Sequence, residues 1–313
     1  MECMENEISL HLNQSLYPAN IKSNVMNSRK VIITVIGILL FHLNVFAQKM
    51  EDYSKNWKTV EGLEKKGLTA SALKEAGIIF NMAIAAGNEP QQVKAAMYQM
   101  KYRNMTEEEN QQKNIFYLDT LIAKTKSPAK NILQSMQAEL FWHYLQNNRY
   151  VFYDRTALLE ENSKDISTWS IEKLQRTISD LYKASLKNNA TLKNTPMATF
   201  DPILEKGKDT RFLRPTLYDF LGHRALAYFM DDESHITLPA YRFILNDEII
   251  FAPVNQFTDA TFKTKDSSAL YYHALMLFQD LLRFHSPDKN PDALIDADLK
   301  RLEFAYQHGI FTN

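Results

Sequence analysis

Apolar side chains recur at helical spacing along most of the chain. From Asp52 onward Trp57, Val60 and Leu63 fall three residues apart, and Gly67 follows Lys65 and Lys66 as a stop with two cations at the negative end of the helix dipole. Ala72, Leu73, Ala76, Ile79, Phe80, Ala83 and Ile84 form a second stripe, closed by Gly87-Asn88. Pro90 suits the first turn of a third helix with the face Val93, Met97 and Met100, and a fourth carries Ile115, Leu118, Leu121 and Ile122. Ser127-Pro128 reads as an N-cap followed by a first-turn proline, ahead of Ile132, Leu133, Met136, Leu140, Phe141 and Tyr144. Consecutive helices joined by such short turns pack antiparallel, which predicts a stack of helical hairpins.

The second half keeps the helical period with more interruptions. Ile171, Leu174, Ile178, Leu181 and Tyr182 follow the polar stretch 160–167. Asp201-Pro202 is expected to cap a short helix ending at Gly207, and Pro215 to open another with Leu217, Leu221, Ala225, Tyr228 and Phe229 on one face. Between 236 and 265 the period is lost among Pro239, Asn246, Pro253 and several aromatic or β-branched residues, which suggests irregular chain or a short β-hairpin. Leu270, Ala274, Leu277, Phe278 and Leu281 restore it, and Asn290-Pro291 starts a last helix that runs to Gly309. The expected class is all-α, a stack of the tetratricopeptide-repeat or α-solenoid kind. Ala76, Phe80 and Ala83 match the second helix of that repeat and Leu63 its first, but a shift of one ~34-residue repeat puts Asn110 where alanine should recur, so the pattern is repeat-like, not a regular array.

One apolar run has a different meaning. Arg29 and Lys30 precede an uncharged stretch from Val31 to Leu40, and Val45-Phe46-Ala47 then leads to Gln48, the order of basic end, apolar core and small-residue cleavage site of a secretory signal peptide. Thr34, Gly37, His42 and Asn44 interrupt the run well short of the ~20 apolar residues that a spanning helix needs. Met26 to Lys30 looks like a normal signal start, so translation is expected to begin there. The expected regions are 1–25, an extension from a mis-set start; 26–47, the signal peptide; 48–150, helical hairpins; and 151–313, a second helical region. The only cysteine, Cys3, lies in the extension, which leaves the exported chain without disulfides or a lipid-bearing cysteine at position 48. The product is expected to be periplasmic or extracellular, soluble and without a stable membrane anchor.

Charge and chemistry narrow the function further. A net charge of −1 offers no basic field for nucleic acid or an anionic membrane, and 45% hydrophobic residues promise a packed core. No two histidines outside the leader have the spacing of a helical zinc site. Glu139 with His143, and Asp219 with His223, share helix faces at i, i+4 and read as surface salt bridges. Asp165-Ile166-Ser167 and Asp266-Ser267-Ser268 precede helical stripes and read as caps. Tyr271, Tyr272 and His273 read as core packing rather than as a peptide groove. With 8 glycines in 313 residues there is no phosphate loop or nucleophile elbow. The chain is therefore expected to be no enzyme, with no catalytic, cofactor-binding or metal-binding residues and no cofactor.

Several words of the sequence resemble a known family. Trp57-Lys58-Thr59-Val60, Leu63-Glu64-Lys65-Lys66-Gly67-Leu68, Ser71-Ala72-Leu73, Lys94-Ala95-Ala96-Met97-Tyr98 and Lys101-Tyr102 are similar to the N-terminal helical region of the large alpha-2-macroglobulin family proteins of Bacteroidetes-type bacteria. So are Arg214-Pro215-Thr216-Leu217-Tyr218-Asp219-Phe220-Leu221 and His223-Arg224-Ala225-Leu226. The resemblance implies part of an exported protease inhibitor, from a truncated gene or a partial sequence, without the bait segment, the thioester or the serial β-sandwich domains. Its partners would be proteins or peptides, with proteases engaged through the missing downstream part. The alternative is a free-standing, repeat-like scaffold of the bacterial envelope that binds a protein or peptide.

Overall fold

Residues 53–106, 111–153, 165–205, 207, 210–231, 243–266 and 268–311 are described by the computed structural model. The signal segment, the start at Met26, Cys3, Asn110 and residues 232–242 of the irregular insertion lie outside them. Two units are distinguished, 1–57 and 58–313. Residues 53–65 are helical (α1), and the second unit continues with α2 (Thr69–Ala86), α3 (Glu89–Thr106), α4 (Gln111–Ile122) and α5 (Ala129–Tyr153). Then come α6 (Ile171–Ser185), α7 (Asn189–Asn194), α8 (Leu217–Phe229), α9 (Val254–Asp259), α10 (Leu270–His285) and α11 (Asp292–His308). Short 3₁₀ turns at Ile166–Thr168, Met197–Ile203 and Glu248–Phe251 link them. The protein is all-α, with neighbouring helices packed antiparallel and no strand among the described residues.

Local chemistry sets the helix boundaries. Gly67 and Gly87 both sit at positive φ, 71° and 61°, where an L side chain is strained, and they end α1 and α2. At the second stop the amide of Asn88 reaches the carbonyl of Ala83 at 2.9 Å, which closes the last turn. Of the two Asp-Ser words only the first caps, and it caps the 3₁₀ turn Ile166–Thr168, where Asp165 takes the amide of Ser167 at 3.0 Å. Asp266 takes the amide of Ser268 at 2.9 Å in a turn ahead of α10, whose N-cap Ala269 has no side-chain bond. Ser170 caps α6 through the amide of Lys173 at 3.2 Å.

Several boundaries differ from the sequence pattern. The hydroxyl of Ser127 is buried without a hydrogen-bond partner among the described residues, so it caps nothing, and α5 starts at Ala129. Pro202 lies inside a 3₁₀ turn rather than opening a helix, and Pro215 precedes the true N-cap of α8, Thr216. Met97 is 44% exposed, because α3 turns Gln92, Val93, Ala95, Ala96 and Gln99 inward instead. The described part of the insertion, 243–266, holds a 3₁₀ turn and α9 in place of a hairpin.

The main core runs from Val93 to Ala305 and joins α3, α4, α5, α6, α8, α10 and α11. Phe141 stacks on Trp169 with ring centres 5.7 Å apart, and Tyr182 stacks on Tyr228 at 5.4 Å. Buried aromatics of this size supply much of the apolar area removed from water. Tyr271 belongs to the interior, as the sequence suggested, with its hydroxyl 3.0 Å from Nδ1 of His308.

Candidate functional site

Buried polar side chains are the most chemically distinctive feature, and several of them hold the ends of neighbouring helices. A helix leaves its last carbonyls without internal partners, and burying them unpaired costs about 1–3 kcal/mol each. In this protein a long side chain from a neighbouring helix often fills that role. Gln92 of α3 donates to the carbonyl of Ala83 near the end of α2 at 3.1 Å. Asn131 of α5 donates to Ser185 and Lys187, at and just past the end of α6, at 3.0 and 2.8 Å. Gln279 of α10 donates to Phe257 of α9 and to Ala260 just past its end at 2.7 and 2.8 Å. Arg301 of α11, 1% exposed, donates to Ala252 at 3.1 Å and to Ile250, pairs with Asp298 at 2.7 Å and lies over the Phe257 ring.

The densest cluster joins α8 to α10. Asp219, the third residue of α8, accepts from the amide and hydroxyl of Thr216 at 2.9 and 2.7 Å while Thr216 accepts from the amide of Asp219, a reciprocal capping box. Its other oxygen lies 2.6 Å from Nε2 of His285, and Nδ1 of His285 lies 2.7 Å from Asp288. His285 and Asp219 are 2% and 1% exposed. Burial pushes the imidazole down, but the hydrogen bonds to Asp219 and Asp288 outweigh it and raise its pKa above the ordinary histidine value. One turn along α8, His223 is pushed the opposite way, down to about 2, by burial and by the nearby cations Arg214 and Lys300. Its Nδ1 has no hydrogen-bond partner among the described residues. Arg214 in turn lies 2.7 Å from Asp296 of α11.

Both helix-surface pairs expected from the sequence are thereby corrected. Glu139 pairs with Arg224 of α8 at 2.8 Å, and Asp219 pairs with His285 rather than with His223. Spacing along one helix could not show that a third helix supplies the better partner. In this cluster Asp219, Asp288 and His285 are spent on one another and on the cap of α8, and His223 packs beside them without a bond to its Nδ1 among the described residues. No group of three or more His, Cys, Asp or Glu side chains among the described residues is arranged to hold a metal ion, and none of their helices is long and apolar enough to cross a membrane.

A second feature lies on the outside of α11. Its inner face buries Ala293, Ala297, Arg301, Phe304 and Ala305, while Ile295, Leu299 and Tyr306 on the opposite face are 50%, 62% and 83% exposed. With Leu302, half-buried between them, they follow a 4-3-4 spacing along about three turns. Ile310, 59% exposed, lies just past the end of the helix, and its amide bonds to the carbonyl of Leu245 at 2.8 Å. Phe311 then folds back onto Gly309 and meets Phe251 with ring centres 5.1 Å apart.

The chain matches no protein-family model, no curated protein and no solved structure.

Proposed function

We propose that the chain is the non-catalytic N-terminal helical segment of an exported alpha-2-macroglobulin-like protease inhibitor, in which antiparallel hairpins stack in a repeat-like or solenoid-like way as a packing scaffold. The observation that carries a scaffold role is the fate of the buried polar groups. Asn131, Gln279, Arg301 and the Asp219–His285 pair each tie one helix to another. Two of the stretches that resemble the family, Arg214 to Leu221 and His223 to Leu226, take part in this directly. Arg214 reaches α11, Asp219 reaches α10 and Arg224 reaches α5. Bait and thioester would lie in further parts of the protein, and no catalytic or ligand-binding residue is assigned here. The product that cells export tests this: a mature N-terminus at Gln48 and tryptic peptides from beyond Asn313 are expected. A product that retains 1–47 and ends at Asn313 would overturn it.

The apolar row on α11 favours a second reading, a free-standing repeat-like scaffold of the bacterial envelope that binds a protein or peptide. Under this reading 48–313 alone is monodisperse and binds its partner without any further domain.

A further inference from the structure

The outer face of α11 carries more than scattered surface apolar residues. Ile295, Leu299, Leu302 and Tyr306 repeat at the spacing by which one helix receives the side chains of another, and beyond the helix end Ile310 is exposed and Phe311 meets Phe251. A row of exposed apolar side chains along one helix face is the kind of surface that a partner covers. The face is also held in place, because Arg301 on its reverse side is bonded to the carbonyls of Ile250 and Ala252. A row fixed in this way loses little freedom when a partner docks.

Charge selects the partner. At 100° per residue, Asp292 and Glu303 border the row on one side, while Asp298 on the other is held by Arg301 at 2.7 Å, and no lysine or arginine of α11 lies within about 90° of the row. A second copy paired antiparallel would set the Asp292 and Glu303 border against itself, and one paired parallel would leave that border without a cation, whereas a basic flank complements it. We propose that the outer face of α11 is a docking seam for an amphipathic α-helix whose apolar stripe is flanked by lysine or arginine. The proposal stands apart from the family reading, for it concerns the surface and not the length of the protein to which the surface belongs.

Two labelled synthetic helices of about three heptads test it, with one apolar stripe and either lysine or glutamate flanks. Binding to the full chain is read by fluorescence anisotropy. The lysine-flanked helix is expected to bind at least tenfold more tightly than the glutamate-flanked one and to weaken in high salt. Leu299→Glu is expected to abolish that binding while leaving the circular dichroism and melting curve unchanged, because Leu299 faces solvent. This variant adds negative charge, so diffuse attraction of a cationic peptide would make binding stronger, and only a true seam makes it weaker. Equal binding of both helices, binding of neither, or unchanged binding to both Leu299→Glu and Tyr306→Glu would overturn the proposal. So would a stable dimer of the wild-type chain that Leu299→Glu dissolves.

Discussion

Replacing Asp219 by alanine removes two things at once, and their sizes differ enough to be separated. The first is the capping box with Thr216, worth about 1 kcal/mol. The second is the buried partner of His285. Breaking a buried ion pair by deleting one member costs ~3–5 kcal/mol, because the other is left uncompensated in a medium that solvates it poorly. Asp288 would still hold His285 and is 42% exposed, so the lower end of that range applies. The total is about 4 kcal/mol, a large part of the ~5–15 kcal/mol that holds a native protein together. Thr216→Ala leaves Asp219 in place and should cost about 1 kcal/mol. Urea unfolding followed by circular dichroism, at pH 6 where His285 is charged, measures both with the slope checked for constancy. The two variants should differ by about 3 kcal/mol, a gap that belongs to the bond with His285. The pH dependence adds a sign. The folded pKa of His285 lies above its unfolded value, so its contribution is complete below about pH 6.5 and is lost as pH rises through the folded pKa. Asp219→Ala should weaken that alkaline limb, with Asp288 keeping part of it. Equal destabilisation by the two variants, or an unchanged alkaline limb, would refute the reasoning.

His223 acts in the opposite direction. Its folded pKa of about 2 lies below the unfolded value, so stability falls as pH drops below about 6.5, by up to ~1.4 kcal/mol per pH unit, and His223→Gln should flatten this acid limb in the same unfolding assay. Arg301→Met strips the carbonyls of Ile250 and Ala252 of their buried donor and should cost about 2–4 kcal/mol, with hydrogen exchange faster first in 248–259. Gly309→Ala places a Cβ against the Phe311 ring and the carbonyl oxygen of Ala305, so the aromatic contact with Phe251 should open, seen as a loss of near-ultraviolet dichroism with little change in helix content. Asn131→Leu leaves two carbonyls beyond α6 unpaired and should cost about 2 kcal/mol, read as a lower melting temperature.

Helices driven by an apolar stripe were legible in the sequence because the period of the stripe is local. Ala72, Ala76, Ile79, Phe80 and Ala83 face inward as their spacing requires, and Gly87 stops the helix for a reason that residue type alone supplies. Turns that depend on tertiary partners were not. Ser127 has the chemistry of an N-cap but is buried without a bond, and Pro202 sits within a 3₁₀ turn. The polar interior was the least legible part. Gln92, Asn131, Gln279 and Arg301 interrupt or border apolar faces, and that interruption was the available signal. Its meaning depends on which helix end lies opposite, information that spacing within one helix does not carry. The same limit misassigned Asp219 to His223, one turn away, when the partner was His285, 66 residues on. On α11 the apolar residues are legible, but which of its faces is covered follows only from the packing of Arg301.

The proposed place of the chain in a longer exported inhibitor is tested most directly by the DNA that follows the codon for Asn313 in the source genome. Coding sequence for serial β-sandwich domains is expected downstream. An intact locus with a stop codon immediately after Asn313 and no such sequence beyond it would contradict the account.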